Sequence, residues 1–510
     1  MVRHGRLSTG CQTCRKRKIK CDKLRPACTQ CARSGWQCPQ DADSIHRMFI
    51  YCDLKRKATN KGTSSHTTTS RISSSNAKQK ISTTPQRKYL DLDLSIPMEV
   101  VQPLHCRATE YYLANHVLRP TGAIRGYNEY LYTFSAKVLR EPMVATSLSA
   151  VGLAAYSHKY QYPEILSEAR YEYVRSLRFI NSALSSSQAN AATDAIVISI
   201  LLLVSYESHT AETRRTIPNR YAHVKGAATL LCLRGDESIS SCPRRQLFHH
   251  LFACISVHCI ILSVSIPRDL VRLHEKALEC VDTTSNPAWR MSEMIIQVTE
   301  FRADIRSGRI QEPQSIIIAA QALDSELASL ADTFPSSWQF ENFELLERSE
   351  LVFGESFHVY PDLWIAYNWN NLRACRMILL DEIRQQFEKS TVSAQPCMMA
   401  DPIQHQRTLK KLYQLSSDIC ATAPQHCGYH LELLNCSGSQ GISNPFKRLR
   451  HNDPSIPGDA GAHLLFWPFI NAGQFTPSQH QRNWIAGRIP SVGQQGALIA
   501  DILKLGQRLF

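Results

Sequence analysis

Six cysteines between positions 11 and 38, spaced C-x2-C-x6-C-x6-C-x2-C-x6-C, constrain this chain more than any other feature. The spacing is an internal repeat, with Cys11, Cys14 and Cys21 in one half and Cys28, Cys31 and Cys38 in the other. Thiolates hold zinc tetrahedrally at ~2.3 Å, and a C-x2-C pair lets two neighbouring sulfurs grip one ion. One zinc needs four ligands, so three cysteines leave each half one short. Two zincs need eight contacts from six sulfurs, so two sulfurs must bridge. The natural candidates are the first of each half, Cys11 and Cys28. A stretch this short has almost no apolar core. Metal binding would supply its folding free energy, on the order of 10–16 kcal/mol for structural zinc sites.

Two other uses of six cysteines fit less well. Three disulfides belong to secreted chains, and the opening MVRHGRLSTG does not read as a signal peptide. A cross-braced module with eight separate ligands would have to recruit His4 and His46 at unsuitable spacings.

Charge distinguishes the two halves. Arg15, Lys16, Arg17, Lys18 and Lys20 lie between Cys14 and Cys21, whereas only Arg33 lies between Cys31 and Cys38. Five cations in six residues repel one another unless a polyanion neutralises them. Phosphate contacts supply salt-dependent affinity, and base-edge contacts in the major groove supply sequence choice. Lys or Arg reaching guanine O6 and N7 is the commonest specific contact. A short helix beginning near Cys14 would point some of these cations into the groove and splay the rest toward phosphates. The bland alternative is a solvated basic face or a nuclear import signal.

GCQTCRKRKIKCD, followed by Pro26, resembles the fungal-type binuclear zinc cluster of transcription regulators; the likeness covers all six cysteines, the basic run, Asp22 and the loop proline. The resemblance implies two Zn2+ ions bridged by Cys11 and Cys28, with Pro26 in the loop joining two helical halves. It places Lys18 where family members read a CGG-type triplet, the other cations being phosphate contacts.

The remainder of the chain is organised differently. Residues 1–90 hold 20 lysines and arginines against 4 carboxylates, a balance of +16, whereas the whole chain carries +14. All of the net positive charge therefore lies at the cysteine-rich end, as a nucleic-acid footprint should. Of 18 cysteines, 12 fall outside the repeat and none of these forms a C-x2-C pair, so they read as scattered reduced thiols. Cys254, His258 and Cys259, near His249 and His250, invite a metal site, but their apolar neighbours favour a buried helix. Residues 44–95 turn to Ser, Thr and Lys and cannot bury enough apolar surface to order themselves. In that linker Ile45, Phe49 and Cys52 give barely one heptad where a coiled coil needs three or four.

From about residue 96 the pattern is helical. Ala169, Tyr173, Leu177, Ile180 and Leu184 share one face, as do Val224, Ala227, Ala228 and Leu231, with Gly235 placed as a C-cap. Ile365, Trp369, Leu372, Leu379 and Ile383 form another stripe, and Leu409, Leu412, Leu415 and Ile419 a fourth. The run from Ala195 to Val204 is apolar all round; at ten residues it cannot span a bilayer, which needs about 20, and reads as a core helix. The segment Leu251 to Ile266 is longer but contains His258, and is also read as core. No convincing strand alternation is present.

Taken in order, His223, Gly226, Leu231, Arg234 and Gly235, then Trp369, Asn370 and Arg373, then Trp467, Pro468, Ala472 and Gly473 resemble the regulatory region that accompanies this cluster in many filamentous-fungal regulators. One departure is Arg220, where relatives often carry Trp. The resemblance implies an all-helical region, in which His223 is read as a packed core residue. No P-loop, dinucleotide-binding, H-E-x-x-H or G-x-S-x-G motif is present, and nothing points to an enzyme.

The expected architecture is a small metal-stabilised zinc cluster, two short helices around two zincs, plus a large all-α regulatory domain, joined by a disordered linker. The boundaries are 1–43 for the DNA-binding domain, 44–95 for the linker and 96–510 for the regulatory domain. The expected function is a nuclear, sequence-specific DNA-binding transcription regulator of RNA polymerase II genes that reads CGG-like triplets. Its partners are double-stranded DNA, transcriptional coregulators and, as a candidate, a second copy of the chain, with no membrane. The alternative is a zinc-dependent nuclear module that binds protein or RNA without reading DNA sequence. Stripping zinc with a chelator is expected to collapse the NMR dispersion of residues 1–45; a spectrum that stays dispersed would refute metal-dependent folding.

Overall fold

The computed structural model describes residues 13–14, 17, 19, 21–22, 28–34 and 36 near the N-terminus. Beyond these it describes 102–119, 125, 127–186, 193–210, 216–281, 286–345, 348–392, 402–431, 446–448 and 459–492. The chain divides into two compact units, Met1–Leu104 and His105–Phe510.

In the first unit, Thr13 and Cys14 are helical. Arg17 N donates to Thr13 O at 3.1 Å and Ile19 N to Cys14 O at 3.0 Å, closing that turn. A second short helix, α1, runs Thr29–Arg33. Both Asp22 carboxylate oxygens accept from Thr29 N at 3.2 Å, which satisfies an otherwise orphaned N-terminal amide.

The second unit is a layered assembly of helices. α2 (Leu104–His116) is followed by α3 (Pro142–Tyr160), α4 (Ile165–Leu184) and α5 (Thr193–Thr210), with α4 and α5 packed on α3. Ala195 to Val204 of α5 is buried at every position, so its apolar circumference is core, as its sequence indicates. The α4 stripe buries Ala169, Leu177 and Ile180 and half-buries Tyr173 and Leu184. α6 (Thr216–Arg234) buries Val224, Ala227, Ala228 and Leu231 and ends at Gly235, whose φ of +65° is left-handed. Glycine adopts that conformation without the Cβ clash of other residues.

α7 (Cys242–Leu262) is the one helix among the described residues long and apolar enough to cross a membrane. It lies within the fold, with Phe248, Leu251, Phe252, Ile255, Cys259 and Ile260 buried. α8 (Arg268–Leu278), α9 (Ala288–Ser307) and α10 (Pro313–Asp332) lead to α11 (Leu363–Val392), a 30-residue helix about 45 Å long. α9, α10, α12 (Pro402–Ala421) and α13 (Ala460–Phe475) all pack on α11, and α14 (Gln479–Val492) packs on α13. Gly461 at the start of α13 lies so close to the turn Ala423–His426 that a Cβ there would sit 2.4 Å from the His426 carbonyl oxygen. α12 stops at Ala421, ahead of Pro424, with Leu412, Leu415 and Ile419 inward.

The absence of strands is corrected in detail. Two hairpin-like pairs occur among the described residues: β1 (Glu341–Glu344) with β2 (Ser356–Val359), and β3 (Tyr429–Leu431) with β4 (Phe446–Arg448), both antiparallel. Strands of three or four residues are too short to display alternation, and they ride on a helical core. The Ser/Thr-rich linker at 44–95 lies wholly outside the described residues, as does most of the Gly/Ser/Asn/Pro-rich stretch at 436–460.

Buried polar groups interlock the helices. Asp194 of α5 accepts from Arg234 of α6 at 2.7 Å and Arg244 of α7 at 3.0 Å. Asp324 of α10 accepts from Arg376 of α11 at 2.6 Å and Lys411 of α12 at 3.2 Å. Removing either carboxylate leaves a buried arginine charge uncompensated, at a cost of about 3–5 kcal/mol.

Histidine burial couples the fold to pH. Burial pushes His116, His249, His250 and His358 down to about 3, and His274 and His426 down to about 4. All six are less than 10% exposed. In the unfolded chain an imidazole takes up a proton near pH 6.5. The unfolded state therefore binds more protons between about pH 6.5 and these depressed values, and stability rises with pH across that window. It is fully present above the unfolded value and is lost as pH falls, by up to about 1.4 kcal/mol per histidine per pH unit. The thermal unfolding midpoint of the helical unit is therefore expected to be lower at pH 5 than at pH 7.5, and an unchanged midpoint would contradict neutral burial.

Candidate metal centre and nucleic-acid interface

The sulfur cluster is assembled from both halves of the cysteine repeat. Cys14, Cys28 and Cys31 are fully buried, and Cys21 and Trp36 pack against them. The Cys14 and Cys28 sulfurs are 3.6 Å apart. That is far beyond a disulfide bond, and it matches the edge of a tetrahedron of thiolates around zinc, about 3.8 Å for Zn–S bonds of ~2.3 Å. The described cysteines are free thiols. Two groups of ligand atoms each converge within 4.8 Å: Cys14, Cys28 and Cys31 form one, and Cys21, Asp22 and Cys28 the other. Soft sulfur donors at this separation suit zinc. Cys28 is the atom common to both groups. Its sulfur also accepts from Cys31 N at 3.4 Å, an interaction that stabilises thiolate charge.

Cys11 and Cys38 lie outside the described residues, as do Pro26 and four of the five cations of the basic run, Arg15, Lys16, Lys18 and Lys20. Arg17 is exposed, and its guanidinium carbon sits 3.8 Å above the centroid of the Trp36 ring. Sequence reading did not single out this stack. The available signal was an aromatic residue in the second half, at the position that Ile19 holds in the first.

Within the helical unit, Cys254, His258 and Cys259 serve the fold. His258 Nδ1 donates to Cys254 O at 2.7 Å within the helix, and the Cys259 thiol points to Ser265 O at 3.8 Å. Burial pushes the Cys254 thiol up to about 12 and Cys259 up to about 11, so both stay protonated. Among the described residues, the groups that converge as metal ligands are the two containing Cys28.

The positions carrying the regulatory-region likeness are structural. His223 is buried, with Nδ1 3.4 Å from Glu207 Oε1. Arg234 joins α6 to α5 through Asp194 and donates to Ser238 Oγ at 3.0 Å. Arg373 is buried beside the rings of Phe340, Trp369 and Tyr360, at 5.4, 5.4 and 5.8 Å, and donates to Asn370 Oδ1 at 3.0 Å. A cavity of about 50 Å³ lies between α7, α9 and α11, with Arg125, His249, Ser292 and Asn371 in its wall. Arg125 Nε and His249 Nδ1 have no protein partner there, and the space suits a few water molecules.

Comparison with known proteins separates the chain into two recognised parts. Residues 9–44 match the fungal Zn(2)-Cys(6) binuclear cluster domain, and residues 116–339 match the fungal specific transcription factor domain. The chain is 54% identical over 33 residues to the transcription activator AMTR1 of Alternaria alternata, covering 6% of this chain and 4% of that protein. It is 50% identical over 38 residues to the Zn(2)-C6 fungal-type transcription factor afumD of Aspergillus fumigatus, covering 8% and 10%. To the transcriptional activator protein acu-15 of Neurospora crassa it is 43% identical over 44 residues, covering 9% and 5%. The matched stretches thus span a tenth or less of these relatives' length. No solved structure matches the chain.

Replacing Cys28 with serine is expected to lower the zinc content of the purified protein, whereas Cys254→Ser leaves it unchanged. Metal analysis of the two variants checks this, and equal zinc content would contradict the assignment of the centre.

Proposed function

We infer that this chain, which carries a fungal binuclear zinc-cluster domain followed by a fungal specific transcription factor domain, is a sequence-specific DNA-binding regulator of transcription acting in the nucleus. The observation that carries the reading is Cys28, whose sulfur belongs to both converging ligand groups beside a run of five cations. A shared sulfur is what six cysteines need to hold two zinc ions. In this reading Cys11, Cys14, Cys21, Cys28, Cys31 and Cys38 bind two Zn2+, with Cys11 and Cys28 bridging.

Arg15, Lys16, Arg17, Lys18 and Lys20 then meet double-stranded DNA, with Lys18 placed to read a guanine of a CGG-like triplet in the major groove. Residues 44–95 tether this domain to the helical region at 96–510, which receives signals or recruits coregulators. A second copy of the chain is the further candidate partner. The reading is of a regulator without catalytic activity.

Binding-site selection by the purified full-length protein from a random DNA pool, in zinc buffer at near-physiological salt, tests this. Enrichment of CGG-like triplets is expected, and Lys18→Ala should remove that preference while keeping most non-specific affinity. Triplets paired at fixed spacing would indicate a dimer. No enrichment with zinc bound would move the assignment to a protein- or RNA-binding module.

A further inference from the structure

The cation–aromatic stack across the cysteine repeat gives one member of the basic run a different task from its neighbours. Arg17 belongs to the turn that carries Cys14, closed by its own amide on Thr13 O at 3.1 Å. Trp36 follows α1, its amide donating to Cys31 O at 2.9 Å, and its side chain packs against the buried sulfurs. The guanidinium carbon of Arg17 lies 3.8 Å from the centroid of that ring. The stack therefore joins the turn after Cys14 to the turn after Cys31. Tryptophan is the best aromatic partner for a cation. A guanidinium can lie flat on it, whereas the compact, strongly hydrated lysine ammonium cannot reproduce that contact.

We propose that Arg17 and Trp36 form a positioning pair: the indole, anchored on the sulfur cluster, holds Arg17 and so aims the turn that presents the basic run to the base edges. Arg17 then contributes to sequence choice through geometry, and the phosphate contacts fall to its neighbours. This rests on the DNA-binding reading above and adds the roles of two residues to it. The two roles open to Arg17 differ in salt dependence. A phosphate contact adds about 0.9 to the slope of log affinity against log salt. A positioning residue changes the ratio of specific to non-specific affinity and leaves that slope alone.

The test uses the full-length zinc-loaded protein, titrated with a duplex bearing a CGG triplet and with the same duplex scrambled at the triplet, over a range of salt. Zinc content is measured for every variant. Arg17→Lys keeps the charge on an exposed side chain, and Trp36→Leu keeps apolar packing on the sulfurs without the π face. Each is expected to lower the specific-to-scrambled ratio about three- to tenfold with the salt slope and zinc content unchanged. The double variant should be no worse than the stronger single, because the two substitutions break one interaction.

Wild-type behaviour of Arg17→Lys, together with a slope reduced by about one in Arg17→Ala, would make Arg17 a phosphate contact and overturn the proposal. Additive losses in the double variant would also overturn it. A wild-type protein that fails to distinguish the two duplexes would overturn the DNA reading itself and this proposal with it, and that control is read before any variant.

Discussion

The apolar surface of α11 is what much of the larger unit is assembled around. Leu372, Met377, Ile378, Leu379, Leu380 and Ile383 are buried on nearly every side of the helix, so it needs neighbours around most of its circumference. α9, α10, α12 and α13 supply them. Each fully buried aliphatic side chain contributes about 1.5–3 kcal/mol relative to exposure, which makes this helix a large source of cohesion. The hairpin of β1 and β2 and the turn Ala423–His426 attach to this core and bring no comparable core of their own. Tyr360, just after β2, exchanges hydrogen bonds with Gln425, its amide donating at 2.9 Å and its carbonyl accepting at 2.8 Å.

Apolar burial alone leaves helices free to slide, and the buried ions supply registration. Asp194 and Asp324 each bind two cations from different helices, so neither pair of partners can shift without exposing a carboxylate to a low-dielectric interior. Glu129, fully buried, accepts the backbone amides of Arg125 and Tyr127 at 2.7 and 2.6 Å and pins the chain leading out of α2. Arg373 is handled differently: its charge faces three aromatic rings, which attract a cation without adding a negative charge. The same charge helps to hold His358 neutral.

The described residues of the N-terminal cysteine cluster use neither device on any scale. Among these described residues the buried side chains are those of Cys14, Cys28 and Cys31, with Trp36 as the aromatic neighbour. In the proposed reading, metal–sulfur bonds take the place of apolar area as the source of folding free energy, and among the described residues two kinds of contact join the halves of the repeat beside the sulfurs. One is Asp22 on the Thr29 amide; the other is Arg17 on Trp36. A unit held in this way can display an unusually dense basic run, since its stability does not require those side chains to be buried.

The order of the cysteines, the asymmetry of charge between their halves and the positions of the main helices were all determined by the sequence. Each is a local or periodic property: a C-x2-C pair grips one ion whatever surrounds it, and Val224, Ala227, Ala228 and Leu231 share a face because the helix repeats every 3.6 residues. The sharing of Cys28 between two ligand groups was arguable from counting sulfurs, and the structure adds the proximity of Cys14, Cys31 and Cys21 to it. Other features depended on tertiary structure. The stack of Arg17 on Trp36, the two-cation carboxylates, the aromatic box around Arg373 and the strands of three and four residues leave no periodic trace. They join residues distant along the chain, or occupy spans too short to repeat, and only the packing of the surrounding elements brings their atoms together.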